Sequence, residues 1–222
     1  MQAAIKFPEF LFINVYSQMR LHVMERMGLL SELVEQIEVV PQGVTSPSYA
    51  QITVERYPGT SRILHWIIAV LVLATWPLGF TIHLVKNDVS MTFYMLHEGI
   101  GFLVFWFMLI RVGNKLIARA PSPKDPPMER MAAKSVHGLF YIFLIVMPVS
   151  GFLATNAHGF PLQWFGLFEV WSPIDKTPEI AWTLSGVHYW SSWVVLALFL
   201  LHMGAVVMHH VIKRDTTLYR IL

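Results

Sequence analysis

The chain contains no cysteine among its 222 residues. This excludes disulfides, iron–sulfur clusters, thiolate zinc sites and covalent C-x-x-C-H haem attachment. Charge is also scarce. Asp, Glu, Lys and Arg make up 14% of the chain, against about 25% in an ordinary soluble domain. The net charge is only +2, which gives no support to a nucleic-acid partner. No internal repeat or low-complexity tract is present.

What the chain does have is hydrophobic length. Apolar residues make up 55% of it, with 15 Phe, 8 Trp and 7 Tyr. Four runs stand out, Ile63–Leu84, Tyr94–Val112, Val136–Ala157 and Val187–Val211. Each approaches the roughly 20 residues that cross a bilayer core as a helix. A chain this short could not bury four such helices in protein, so the runs predict four membrane spans in contact with lipid. Pro77 and Pro148 fall inside spans one and three, where they predict kinks.

Loop charge sets the expected orientation. Lys115, Arg119, Lys124, Arg130 and Lys134 lie between spans two and three, against Asp125 and Glu129. Arg56 and Arg62 precede span one, and Lys213, Arg214 and Arg220 follow span four. The other two loops hold Lys86 and Lys176 as their cations. The positive-inside rule places both termini and the middle loop in the cytoplasm of an inner-membrane, multi-pass protein. Trp164, Trp171 and Trp182 then face outward. The middle loop, Ala120 to Pro127, is a proline-rich connector.

Residues 1–50 read differently from residues 51–222. They mix apolar residues with Glu25, Glu32, Glu35 and Glu38, contain no run fit to span, and lack the pattern of a signal peptide. They form an N-terminal extension, either an interfacial helix over about Pro8 to Glu38 or an unordered segment.

The histidines carry most of the chemistry. An ionisable side chain inside a membrane is costly and usually marks a site. His65 stands at the cytoplasmic entry of span one, His97 at the outer entry of span two and His137 at the cytoplasmic entry of span three. His188 and His202 both belong to span four, 14 residues apart. At about 100° per residue the two return to within about 40° of one face, separated by a rise of about 21 Å. By depth, His97 pairs with His188, and His65 with His202. His209 is a rival partner for His65, and would lower that site to the membrane surface. His22, His83, His158 and His210 read as surface or headgroup-facing residues.

Two imidazoles at each level, without cysteine, suit an iron whose other four ligands come from a porphyrin. The expectation is two non-covalent, bis-histidine b-type haems in an all-α four-helix bundle. Gly101 and Ala69, one turn after His97 and His65, are small enough to admit a flat ring. A lone histidine in a span is as often a hydrogen-bonding group between helices; four at matched depths favour ligands.

Several stretches resemble prokaryotic cytochrome b561. They are Arg62-Ile63-Leu64-His65-Trp66, Leu96-His97-Glu98-Gly99 leading to Leu109-Ile110-Arg111, and His137 followed by Met147-Pro148-Val149-Ser150-Gly151. The His188/His202 pair and the run from His209 to Arg220 complete the set, covering about residues 52–222. The resemblance implies a respiratory, quinone-linked di-haem bundle, with His97/His188 and His65/His202 as iron ligands and ubiquinone or menaquinone as partner. It also implies two alternatives: a superoxide:ubiquinone oxidoreductase complete in one chain, or a haem-bearing anchor for a hydrogenase or dehydrogenase subunit. Two haems use four histidines, leaving His137 within the spans. With Arg111 close in depth, His137 is a candidate for binding a quinone or, alternatively, for a hydrogen bond to a helix or haem propionate.

Overall fold

The computed structural model describes residues 54–82, 84–85, 89–122 and 126–222. The N-terminal extension 1–50, His22 and His83 lie outside the described residues. Four helices long and apolar enough to cross a membrane follow one another, α1 (Gly59–Ile82), α2 (Val89–Ile117), α3 (Pro127–His158) and α4 (Pro178–Val207). The last continues as a π-helical turn, Met208–Lys213, and the chain closes with a 3-10 turn, Leu218–Arg220.

Each helix begins before its hydrophobic segment, and local chemistry as well as hydropathy decides its ends. Proline occupies the first turn of both α3 and α4, where its missing N–H is no loss and its fixed φ favours the helix. The α3 C-terminus is closed by Gly159 at φ 89°. Gly159 N donates to Asn156 O and Phe160 N to Thr155 O, the paired bonds of a Schellman ending. Both α1 and α3 run through their internal prolines.

Consecutive helices pack against each other: α1 on α2, α2 on α3, α3 on α4. By contrast, α4 makes almost no close backbone approach to α1 or α2. The buried core is small and centres on Ile68, Val104, Met108, Leu144 and Val195. Large apolar side chains such as Trp106, Ile110, Leu200 and Leu201 point outward, which water would penalise and lipid does not. Buried hydroxyls bond back to their own helix: Thr75 to Leu71 O at 2.7 Å and Ser150 to Met147 O at 2.9 Å. In a bilayer such groups have no water to turn to.

The two ends of the bundle differ. At one, Arg62, Arg111, Lys115 and Lys213 gather, and the C-terminal tail ties segments together. Arg220 donates to Ser122 O and Glu55 O, Tyr57 N donates to Arg220 O, and Trp66 Nε1 donates to Ile221 O. Lys213 pairs with Glu129. At the other end, the connection from α3 to α4 folds into a short antiparallel hairpin, β1 (Gln163–Trp164) with β2 (Phe168–Glu169). Trp171 and Trp182 stand exposed there, as an interfacial belt requires.

Candidate haem sites

At the tryptophan end, His97 of α2 and His188 of α4 face each other with ring centroids 5.9 Å apart. Each ring is held from behind by a neighbouring helix. His97 Nδ1 lies 2.9 Å from Thr75 O on α1, and His188 Nδ1 lies 2.7 Å from Met147 O on α3. A carbonyl only accepts, so both Nδ1 atoms carry the proton and both Nε2 atoms carry the lone pair. A backbone carbonyl on the far nitrogen is the usual way to orient a histidine that ligates a metal.

The two cradles share one design. Four residues after each acceptor carbonyl stands a glycine. A Cβ on Gly79 would lie 2.6 Å from His97 Cε1, and one on Gly151 would lie 2.7 Å from His188 Nδ1. Each ring therefore rests on bare helix backbone, reachable only because that position lacks a side chain. Glu98, beside His97, accepts a hydrogen bond from Thr155 Oγ1 on α3 at 3.2 Å.

At the basic end three imidazoles converge. His202 of α4 lies 6.3 Å from His65 of α1 and 5.7 Å from His137 of α3, ring centroid to ring centroid. Phe140 packs edge-on against His202 at 5.9 Å. Arg111 is within electrostatic reach of both His65 and His137, and it anchors itself by donating to Ser61 O at 3.1 Å. Asn114 braces the same serine, with Nδ2 2.7 Å from Ser61 Oγ. Among the described residues, no acceptor lies within reach of the buried Arg62 Nε.

His209 pairs with Asp215. Its Nδ1 is 2.5 Å from Asp215 Oδ2 across the π-helical turn, and Asp215 Oδ1 in turn accepts from Thr217 N. Partial burial pushes the Asp215 carboxyl upward. The bonds from His209 and Thr217 outweigh it and bring the pKa down to about 2. His158 bonds to Ser185 Oγ and packs on Trp182, and the exposed His210 packs on Tyr219.

The histidine pairs fit a haem. An imidazole nitrogen sits about 2 Å from the metal it binds, so two rings on one iron have centroids about 6 Å apart. Both proposed pairs match that spacing. Among the described residues no group of three or more His, Asp or Glu is placed to hold a bare ion, whereas each histidine pair has the spacing for a metal that arrives with ligands of its own. Of the small residues read from the sequence, Gly101 has only Thr75 Cγ2 near its Cβ position, at 4.0 Å. Protein side-chain rings lie close on Gly79, Gly99 and Gly151. Gly151 stood in a recognised stretch, but nothing in the sequence says which ring it receives.

Four apolar helices with facing histidines at two depths define a membrane cytochrome of the b type, a protein that moves electrons within a bilayer. The family model for prokaryotic cytochrome b561 matches residues 56–222, and the chain belongs to that family. It is 32% identical over 180 residues to cytochrome b561 homolog 2 of Escherichia coli K12, covering 77% of this chain and 93% of that protein. Cytochrome b561 homolog 1 of the same organism is 27% identical over 180 residues, covering 75% and 97%. A probable superoxide oxidase, CybB, of Yersinia pestis is 24% identical over 161 residues, covering 72% and 91%.

Proposed function

We propose that the chain binds two b haems, one on His97 and His188 and one on His65 and His202, and carries electrons between an outer donor and a quinone. The observation that carries the reading is the pair of histidine couples at ligand spacing, 5.9 Å and 6.3 Å between ring centroids. Both couples bridge helices that make almost no close backbone approach, α2 with α4 and α1 with α4. His137 is nearer to His202 but sits on α3, packed directly against α4. That contact favours His65 as the ligand.

When bound, each haem accepts and releases one electron at a time. The chain's own part is to hold and tune it. Thr75 O and Met147 O fix the outer rings, and Arg62 and Arg111 supply positive charge and N–H donors for haem carboxylates at the inner site. With the basic end in the cytoplasm, His137 and Arg111 stand where a quinone would take up protons. The His137 ring, though it faces His202, is not covered by protein, which leaves it open to a quinone. Its imidazole can donate a hydrogen bond to a quinone carbonyl and pass on a proton. Lys115, over the Tyr141 ring at 4.2 Å, adds positive charge beside it.

Superoxide as the donor is the weaker reading. Among the described residues of the tryptophan end, Lys176 is the cation against Glu98, Glu169, Asp175 and Glu179. An anionic substrate calls for the opposite balance.

The test is a haem count on the purified chain. Two haems per polypeptide, extractable in acid acetone and low-spin by spectrum, are expected. One haem, none, or haem that stays with the polypeptide would defeat the reading.

A further inference from the structure

Three of the four seams between helices are packed and one is open. α1 lies on α2, α2 on α3 and α3 on α4, whereas α4 and α1 make almost no close backbone approach. His65 and His202 nonetheless face each other across that open seam, with ring centroids 6.3 Å apart. Two rings on one iron need a fixed separation, and these two backbones are not in contact to supply it.

What crosses the seam is the C-terminal tail. After the π-helical turn the chain reverses at Arg214, a non-glycine residue at φ 53°, a conformation that its surroundings must hold. Asp215 N donates to His209 O, and the Asp215 carboxylate takes His209 Nδ1 and Thr217 N. The tail thus leaves α4 on a fixed heading, and it ends on α1. Tyr57 N donates to Arg220 O at 2.9 Å, Trp66 Nε1 to Ile221 O at 3.2 Å and Arg220 Nε to Glu55 O at 3.4 Å. The other arm of the same guanidinium donates to Ser122 O at 2.8 Å, so one planar fork serves two segments at once. Trp66 adjoins His65 in sequence, and their ring centroids are 5.3 Å apart. On its other side α1 is tied to α2, where Arg111 and Asn114 both donate to Ser61.

We infer that residues 218–222 are a strap that closes the seam between α1 and α4 and sets the spacing of His65 and His202, with Arg220 and Trp66 as its positioning residues. The inference rests on the two-haem reading above. The strap is anchored to α4 through Asp215 and to α1 through Trp66, so it joins the two ligand helices without touching the iron. Single hydrogen bonds of this kind contribute little. Here several share one short segment, so each holds the others in register and the seam opens only when more than one is lost.

The experiment measures the seam and the haems separately in the purified full chain. The absence of native cysteine lets nitroxide labels be placed at Ile63→Cys and Leu200→Cys, both exposed. Each lies two residues before its histidine, about 200° around the helix, so neither label enters the site. Ile63→Cys with Ile110→Cys reports the packed α1–α2 seam as a control. Distances are read by pulsed electron paramagnetic resonance in the reduced protein, where low-spin iron is diamagnetic. Trp66→Phe keeps an aromatic ring beside His65 and removes the N–H; Arg220→Ala removes the fork. In the double variant the α1–α4 distance should lengthen and broaden while the α1–α2 distance stays. Retention of the inner haem should weaken roughly 10-fold or more, on the scale of lost ligand orientation, with the outer haem fully retained. An unmoved α1–α4 distance overturns the inference, whatever the haems do. So does a longer distance with the inner haem retained as in wild type. Loss of both haems, or lengthening of both distances, would make the tail a general folding element and also overturn it. A wild-type chain with fewer than two haems defeats the underlying reading instead, and the inference falls with it.

Discussion

His188 rests on Gly151: a Cβ there would lie 2.7 Å from its Nδ1, the same atom that donates to Met147 O. On the opposite pair of helices His97 stands in the same relation to Gly79 and Thr75 O. The two rings are thus held by α1 and α3, each of which supplies a backbone carbonyl to one of them.

The clamp predicts the effect of one methyl group. Gly79→Ala or Gly151→Ala should displace its histidine and weaken outer-haem retention roughly 10- to 100-fold, the usual scale for lost ligand orientation. The inner haem should stay. Gly113→Ala, where a Cβ meets nothing within 4 Å, should leave both haems in place and slightly favour the helix. Haem-to-protein ratios of the three purified variants provide the measurement. Full occupancy in both Gly79→Ala and Gly151→Ala would refute the clamp.

His188→Ala and His202→Ala should each remove a different haem. Fourteen residues of α4 separate them, a rise of about 21 Å, too far for one iron. His65→Ala should match His202→Ala in its spectrum, whereas His209→Ala should retain both haems, because it is His202 that stands at ligand spacing from His65. Loss of both haems from a single normally inserted variant would count against separate sites.

His137→Phe tests the quinone end. Haem occupancy should be unchanged while quinone reduction falls by about two orders of magnitude, the lower range for a lost proton-transfer group. A missing inner haem would show instead that His137, not His65, pairs with His202. Unchanged quinone kinetics would remove His137 from the reaction.

The C-terminal tail should respond to acid. Asp215 falls from its ordinary 3.8 to about 2, so its ionised form stabilises the fold. That stabilisation is complete above about pH 4 and is lost as the pH drops through about 2. Asp215→Asn should loosen the turn already at neutral pH. Amide exchange at Thr217 and the residues after it reads both effects. Equal protection in Asp215→Asn and wild type at pH 7 would deny the carboxylate this role.

A reporter fused after Leu222 should be active in the cytoplasm. The excess of Lys and Arg in the loop after α2 and in the tail drives that expectation. Activity confined to the periplasmic side would invert the bundle and exchange the inner and outer labels of the two sites.

Much of this protein was legible one residue at a time. Bilayer thickness dictates span length, and lipid demands an apolar surface, so the four helices follow from hydropathy alone. The 3.6-residue repeat places His188 and His202 near one face of α4, and antiparallel order brings His97 and His65 to their levels. Other relationships needed the tertiary structure. Lipid-facing and bundle-facing residues are both apolar, so no amphipathic stripe reveals how each helix is rotated. Depth alone therefore could not tell that His137 as well as His65 lies against His202, or that His209 turns to Asp215. Nor do Thr75 O and Met147 O have any mark in the sequence, since a backbone carbonyl belongs to every residue. Gly79 and Gly151 acquire their purpose only where another helix lays a ring across them. The Phe165 contact with Gly99 joins positions 66 apart, through a hairpin whose turn residue goes against local preference because packing on α2 outweighs it.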